Sequence, residues 1–156
     1  MNLEFKHLTQ VSLDDIIELN NHPQVLRLMP LGSPNFDREV WKQWAIQKES
    51  QWVQHGYGPW AFVIDSKFAG WGGLQFEDGD ADLALVLHPD YWGTGKIIYD
   101  EIVRRAFDEM HLETITILLP PSRTRIKGIF RLGFKPDGEV EYDGVRFLRF
   151  RLCASG

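Results

Sequence analysis

Apolar and polar residues alternate in several short segments of the chain, and this period of two predicts β-strands. The first strand is expected over Leu3–Thr9. The segments "WAFVID" and "FAGWGGLQF" are expected to pair as a hairpin through the short turn "DSK", and a second turn, "FEDGDAD", leads into the strand "DLALVLH". A last hairpin is predicted within "FKPDGEVEYDGVRFLRFRL", which has turn signals at "PDG" and "YDG".

Two segments between the first strand and the hairpin have helical periodicity. "LDDIIELNN" predicts a helix that stops before Pro23, and a turn-rich loop is expected over Pro30–Asp37. A longer helix is expected from Asp37 to about Gln54, with three tryptophans nearly in phase on one face: Trp41, Trp44 and Trp52. This stripe predicts either a surface that faces the core or one wall of a substrate cleft.

The remaining pattern decides the fold class. A helix over Lys96–Met110 separates "DLALVLH" from the strand "TITILLP" (Thr114–Pro120), and two strands joined through a helix are expected to lie parallel. "SRTRIKGIFRL" predicts a short basic helix that ends at Gly133. We therefore predict an α+β fold in a single domain, residues 1–156. Its mixed sheet is mostly antiparallel with a central parallel strand pair, flanked by about four helices.

Composition narrows the function classes. The chain has 156 residues, of which 44% are hydrophobic and 25% are charged, and its formal net charge is −5. This acidity disfavours a nucleic-acid partner and favours cationic or neutral ones. A lone cysteine, Cys153, favours a reducing, cytoplasmic setting. The N-terminal segment has no apolar signal-peptide core, and no run is apolar enough to predict a membrane span.

The corner "HPDYWGTGK" between the predicted strand "DLALVLH" and the following helix is rich in glycine and aromatic residues. It does not fit a Walker loop, because Asp90 replaces the first glycine and Ile97 replaces the final Ser or Thr. A glycine-punctuated loop at a helix N-terminus can still bind a pyrophosphate through free amides, with help from Thr94 and Lys96. An ordinary strand-to-helix turn is the alternative interpretation.

The motif "YWGTGK", together with "LGF" (Leu132–Phe134) after the next strand, resembles the GNAT acyltransferases and, among them, the ribosomal-protein N-acetyltransferase branch. The resemblance is strongest from about Gly70 to Phe134. It implies an N-acetyltransferase that uses acetyl-CoA, needs no metal, and acts on a protein N-terminus, an amino acid or a small amine in a ternary complex. We also expect no membrane partner, because no run of about 18 apolar residues exists, and a monomer or a homodimer.

The resemblance also assigns the coenzyme contacts. Backbone groups at the corner would hold the pyrophosphate of coenzyme A, namely at Trp92, Gly93, Thr94, Gly95 and Lys96. The strand before the corner would pair with the pantetheine arm through the backbone at Leu85, Val86 and Leu87. The family often has Gln or Arg where this chain has Asp90, a departure that would weaken phosphate binding if the carboxylate pointed inward.

The catalytic groups depart further from the family pattern. Asp82 stands where the related branch often has a Glu, which implies a general base; the alternative is a solvated acid in an acidic turn. His55 and His88 are rival bases. Ser122 stands where Asn commonly bonds the pantetheine arm, and we count it with Asp82 among the candidate catalytic residues.

No obvious general acid is present in the short basic helix. Ile129 replaces the Tyr that protonates the leaving thiolate in many members, the adjacent Phe130 carries no proton, and Arg125 replaces a serine. The basic residues Arg123, Arg125 and Lys127 are either ligands of the coenzyme 3′-phosphate or a solvated surface. A non-catalytic acyl-CoA-binding domain is therefore the alternative to an enzyme, and a partner-binding protein with an aromatic interface is a third.

Overall fold

The computed structural model describes residues 1–29, 31–32, 35–123 and 125–154. Seven strands are present in it: β1 (Leu3–Lys6), β2 (Pro59–Ile64), β3 (Lys67–Glu77), β4 (Asp80–Leu87), β5 (Thr114–Leu119), β6 (Lys135–Tyr142) and β7 (Val145–Cys153). They form one sheet in the order β1-β2-β3-β4-β5-β7-β6. β4 and β5 are parallel, and every other neighbouring pair is antiparallel, which confirms the predicted α+β fold with its central parallel pair.

Five α-helices lie within the described residues. They are α1 (Leu13–Asn21), α2 (Pro23–Leu26), α3 (Arg38–His55), α4 (Gly95–Arg104) and α5 (Lys127–Arg131). Asp37 caps α3, because its carboxylate accepts the backbone N–H of Val40 at 2.9 Å, and Gly56 ends the helix in a left-handed conformation. Each of these helices lies outside the sheet and supplies an apolar face that covers part of it.

The sheet has a hydrophobic cluster on each of its two faces. Ile98 and Ile102 of α4 pack with Leu83 and Leu87 of β4 on one face, and Ile129 of α5 joins the same cluster. The second cluster, next to α1, α2 and α3, contains Leu8, Leu19, Val25, Ala61, Trp71 and Val86. β4 therefore contributes side chains to both clusters and is held from both sides.

Glycines let β3 approach β4 closely. A Cβ atom at Gly72 would lie 2.2 Å from the carbonyl oxygen of Ala84, and Gly72 has a φ of 156°. A Cβ atom at Gly70 would lie 2.2 Å from the carbonyl oxygen of Val86. Since no side chain fits at these distances, the two glycines set how closely β3 and β4 are packed.

Several predicted boundaries are wrong. The first strand ends at Lys6, because Leu8–Gln10 forms a 3₁₀ turn. The helix predicted over Lys96–Met110 is α-helical only to Arg104 and continues as a π-helical turn over Arg105–Glu109. The short basic helix begins at Lys127 rather than at Ser122.

Two other sequence predictions need separate comment. The predicted loop Pro30–Asp37 includes positions 30, 33 and 34, and the predicted basic helix includes position 124, all of which lie outside the described residues. The tryptophans of α3 face inward, as one of the two interpretations predicts. Trp44 packs edge-on against Trp71 with ring centroids 5.0 Å apart, and Trp52 packs against Trp60 at 5.1 Å. Over the described ranges, no helix is long and apolar enough to cross a membrane.

Candidate functional site

β4 and β5 are paired at one end and separate toward the other. Within the described residues the two strands pair at one position, where Asp82 lies opposite Thr116. On its other edge β4 is paired with β3 along its whole length, from Asp80 to Leu87. The strands therefore enclose a gap on the C-terminal side of Asp82, and the backbone of β4 borders it from Leu85 to Leu87. In open sheets with parallel strands, ligands bind beyond the carboxyl ends of those strands.

The corner beyond β4 is more ordered than the sequence predicts. Pro89–Thr94 forms a 3₁₀ helix that runs directly into α4, so the predicted loop is wrong. His88 starts this helix by accepting the backbone N–H of Asp90 on its Nδ1 at 3.1 Å. Proline at the first helical position fits this arrangement, because its missing N–H would have no partner there.

Two side-chain hydrogen bonds hold the corner in place. The indole Nε1 of Trp92 donates to the carbonyl oxygen of Leu87 at 2.9 Å, and the Oγ1 of Thr94 donates to the carbonyl oxygen of Tyr91 at 2.6 Å. The Thr94 hydroxyl is thus turned back toward the 3₁₀ helix. Lys96 forms an ion pair with Asp100 at 2.6 Å along the exposed side of α4.

The two glycines of the corner differ in their surroundings. The backbone N–H of Gly95 donates to the carbonyl oxygen of Trp92, so this amide has a partner within the protein. A Cβ atom at Gly93 would meet nothing within 4 Å, which leaves open space in front of its backbone. No side chain caps the N-terminus of α4, because Thr94 at the cap position makes no capping hydrogen bond. The start of α4, which carries partial positive charge, therefore lies two residues from the open space at Gly93.

The predicted pantetheine strand presents its backbone to the gap, because its side chains are used elsewhere. Leu87 packs in the cluster beneath α4, and Leu85 lies against the same cluster. Val86 points to the opposite face and packs among the residues next to α1 and α3.

Asp82 lies at the point where β4 and β5 meet, and it is buried rather than solvated. Its exposure is 8%, so the interpretation as a solvated turn acid is wrong. The hydroxyl of Thr116, itself 1% exposed, donates to Oδ1 of Asp82 at 2.9 Å. Burial raises the pKa of Asp82 to about 7; the Thr116 hydrogen bond opposes this rise, and the charges of Glu77 and Asp80 add to it. A carboxyl group of this kind can accept a proton near neutral pH.

A lysine reaches the same face of the sheet from α3. Gln75 lies directly opposite Asp82 in the β3–β4 pair, and its Oε1 accepts a hydrogen bond from the Nζ of Lys48. The Lys48 ammonium also lies 5.3 Å from the ring centroid of Trp71. Burial lowers the pKa of Lys48, and the nearby Glu77 opposes that change. Polar groups from α3, β3, β4 and β5 therefore converge at this point of the sheet.

The other predicted catalytic residues lie in different surroundings. His55 stacks on Phe76 with ring centroids 3.9 Å apart, and His88 serves as the cap described above. Ser122 and Arg125 are exposed in the connection between β5 and α5, and their proposed contacts with coenzyme A stay predictions. Ile129 is buried at 9% exposure, and its hydrocarbon side chain has no proton to give to a leaving group.

Sequence reasoning missed three residues of this cluster: Lys48, Gln75 and Thr116. Thr116 had a usable signal, because Thr114 and Thr116 are polar at a spacing of two in an otherwise apolar strand, and that strand was already predicted to lie next to the strand of Asp82. Lys48 had a weaker signal, because it follows Trp44 by one helical turn on the inward face of α3.

The candidate site is an open gap rather than an enclosed pocket. Two surface cavities, of about 410 and 330 Å³, lie beside it: one is bordered by α1 and by His88 and Tyr91 at the start of the corner, and the other by Tyr57, Asp80 and His111. In the part of the chain that the structure describes, no group of three or more His, Cys, Asp or Glu side chains could hold a metal ion.

Comparison with known proteins gives a family and a fold. Residues 2–135 match the family model described as "Acetyltransferase (GNAT) domain". A spermidine N-acetyltransferase from Vibrio cholerae, solved in complex with CoA and spermine, has a TM-score of 0.74 and 13% identity, over 98% of this chain and 96% of that one. An acetyltransferase from Agrobacterium tumefaciens str. C58 has a TM-score of 0.74 and 17% identity, over 96% and 90%. A candidate ribosomal-protein-serine acetyltransferase from Vibrio cholerae has a TM-score of 0.67 and 15% identity, over 98% and 94%.

Proposed function

Because the chain belongs to the GNAT acetyltransferase family, and is therefore an N-acetyltransferase that uses acetyl-CoA, we propose that it acetylates a primary amine directly in a ternary complex, with Asp82 as the proton acceptor. One observation carries the choice of Asp82. It is a buried carboxyl group, with a pKa of about 7, at the point where the two parallel strands separate.

The reaction needs few groups from the protein. The amine nitrogen attacks the thioester carbon, a C–N bond forms, the C–S bond breaks, and coenzyme A leaves as a thiolate. The proton lost by the amine passes to Asp82, directly or through one water molecule, and the thiolate takes a proton from water. Most of the rate enhancement comes from holding the amine against the thioester, since positioning alone can lower a barrier by roughly 7–11 kcal/mol.

The corner and the strand before it bind the coenzyme in this proposal. The pyrophosphate lies against the start of α4 and the open backbone at Gly93, where a Cβ atom would meet nothing within 4 Å. The pantetheine arm occupies the gap along Leu85–Leu87, where a backbone N–H of β4 faces the thioester oxygen and stabilises its developing negative charge. The exposed Arg125 and Ser122 are assigned secondary contacts with the coenzyme.

The acceptor side is the face of the sheet that carries Asp82 and α3. The charges of Glu77 and Asp80 raise the pKa of Asp82, although Arg151 pairs with Asp80 at 2.9 Å and offsets part of its charge. Together with the net charge of −5, these acidic groups favour amines that approach as cations. Suitable acceptors are a protein N-terminus, including that of a ribosomal protein, an amino acid, or a small amine such as a polyamine.

The proposal is tested by following thiol release from acetyl-CoA with three amines: a polyamine, a free amino acid and an N-terminal peptide. Asp82→Asn is expected to lower kcat/KM for the best amine by about 10²-fold or more, the usual contribution of a general base. Asp78→Asn is the matched control, because Asp78 is an acid in the adjacent turn and is exposed. Equal rates for Asp82→Asn and Asp78→Asn would rule out Asp82 as the base. Thermal stabilisation by coenzyme A without turnover on any amine would instead support the non-catalytic alternative.

A further inference from the structure

The two oxygens of the Asp82 carboxyl group have different environments. Oδ1 accepts the hydrogen bond from Thr116 at 2.9 Å, and Oδ2 has no hydrogen-bond partner among the described residues. Among the described residues, Nε1 of Trp41 is the one side-chain nitrogen or oxygen that is both inaccessible to solvent and without a hydrogen bond. Because Oδ2 of Asp82 also lacks a hydrogen bond but is not such an atom, it is accessible to solvent. One oxygen is thus held by the protein, and the other is available to an incoming group.

This hydrogen bond lies where β4 and β5 are still paired. Thr116 is directly opposite Asp82 in that pair, at the point where the gap begins. Both side chains are buried, so water does not compete for this bond. A hydrogen bond to an ionised carboxylate is roughly twice as strong as one between neutral groups. The bond therefore fixes the carboxyl orientation at the inner end of the gap.

Several other charged or titratable groups face this carboxyl from the elements around it. Glu77 of β3 and Asp80 of β4 raise its pKa, and Tyr142 of β6 is in turn affected by the charge of Asp82. Lys48 of α3 bonds Gln75, the residue opposite Asp82, and Arg151 of β7 pairs with Asp80 at 2.9 Å. None of these groups bonds directly to Asp82 in the part of the chain that the structure describes. Thr116 is thus the residue that touches the carboxyl.

We propose that Thr116 is a positioning residue for the acetyl transfer: its hydroxyl holds Oδ1 of Asp82, so that Oδ2 points to the acceptor amine and receives its proton. The proposal rests on the proposed role of Asp82 as the base. It assigns Thr116 no contact with either substrate. Because the hydroxyl stabilises the charged carboxylate, Thr116 also keeps Asp82 ionised at a lower pH than burial alone would allow.

The test compares Thr116→Val, which has nearly the same shape and no hydroxyl, with Thr116→Ser, which keeps the hydroxyl. The pKa of Asp82 is measured by carbon-13 NMR of the carboxyl group, and kcat and KM are measured as functions of pH. In Thr116→Val we expect the pKa of Asp82 and the acidic limb of kcat to rise by about one pH unit, the size of a hydrogen bond to a charged group. At pH 7 the ionised fraction of Asp82, and with it kcat, then falls about fivefold, approaching tenfold at lower pH, while KM for acetyl-CoA changes less than about twofold.

Two comparisons separate positioning from a structural effect. Thr116→Ser is expected to restore the wild-type pH profile. Thr114→Val removes another hydroxyl from the same face of β5. That hydroxyl accepts a hydrogen bond from Arg151 and does not contact Asp82, so the acidic limb of the kcat profile is expected to stay at the wild-type pH. An unchanged pKa of Asp82 in Thr116→Val, or the same profile in both valine variants, would overturn the proposal. A different measurement tests the role of Asp82 as the base: retained turnover in Asp82→Asn would refute that role.

Discussion

The indole N–H of Trp92 donates a hydrogen bond to the carbonyl oxygen of Leu87 at 2.9 Å, and this ties the corner to the last residue of β4. Trp92→Phe keeps an aromatic ring and removes this bond. Trp92 is 46% exposed, but the freed carbonyl belongs to Leu87, which is 8% exposed, so the free energy of unfolding should fall by about 1 kcal/mol. Coenzyme A affinity, measured by calorimetry, should fall by about three- to tenfold, which is the effect of one ordinary hydrogen bond.

Trp41→Phe is the matched control for Trp92→Phe. The Nε1 of Trp41 is buried without a partner in the described part of the chain, so the substitution removes an unsatisfied donor rather than a bond. We expect the free energy of unfolding to stay the same or to rise by up to about 1 kcal/mol. Coenzyme A affinity should not change. Equal losses of affinity in the two variants would show that the Trp92–Leu87 bond does not position the corner.

Gly93→Ala tests the corner as a phosphate site. The added methyl group would meet nothing within 4 Å in the free protein, so the free energy of unfolding should change by no more than about 0.5 kcal/mol. It would occupy the space where the pyrophosphate approaches, so coenzyme A affinity should fall about tenfold or more. Gly128→Ala, also in open space but on α5, is the control. Unchanged affinity in Gly93→Ala would place the pyrophosphate elsewhere.

The raised pKa of Asp82 predicts a pH-dependent cost to stability. The unfolded chain loses this proton near pH 4 and the folded protein near pH 7, so the folded state binds more protons between these values. The stabilising contribution of Asp82 to the free energy of unfolding is therefore fully present below about pH 4 and is lost as the pH rises through about 7. Asp82→Asn cannot ionise and should be more stable than the wild type at pH 7.5, by on the order of a few kcal/mol.

Urea unfolding at about pH 4, 5.5 and 7.5 measures this effect. The stability difference between Asp82→Asn and the wild type should be small at the lowest pH and should grow with pH. Asp78→Asn, which removes an exposed carboxylate from the adjacent turn, is measured in parallel as the control. A difference that is constant over this range would contradict the assignment of a raised pKa to Asp82.

Gly72→Ala should be strongly destabilising. Its Cβ atom would lie 2.2 Å from the carbonyl oxygen of Ala84, and the φ of 156° is one that residues with side chains rarely adopt. Both obstacles are backbone features, so β3 and β4 would have to separate. We expect a loss of more than about 2 kcal/mol in the free energy of unfolding, against almost none for Gly93→Ala. Similar melting temperatures for the two variants would refute this account.

The sheet topology could be predicted because it follows from local patterns. The alternating segments marked the strands, and the helix between "DLALVLH" and "TITILLP" indicated their parallel arrangement. The glycine at the end of α5 was also readable, since Gly133 adopts a φ of 99° just beyond the helix.

The burial of Asp82 could not be predicted in the same way. Its neighbours in "FEDGDAD" resemble a solvated turn, and only the pairing of β4 with Gln75 and Thr116 on either side places it under α3. The π-helical turn after α4 was likewise not predicted, and its first residue contacts a distant part of the chain. The Arg105 guanidinium lies 4.4 Å from the ring centroid of Phe5, a residue one hundred positions earlier in the chain.

Beyond Asp82, β4 has a third strand edge without a pairing partner among the described residues, in the middle of the sheet rather than at its rims. The outer edges are a four-residue strand, β1, and the irregular strand β6, both poor templates for another chain. The inner edge offers the backbone of Leu85–Leu87, which suits an extended partner. Filling it completes the sheet, so heat resistance should increase with the concentration of the acyl donor, and protein depleted of that donor should be the most readily digested by proteases.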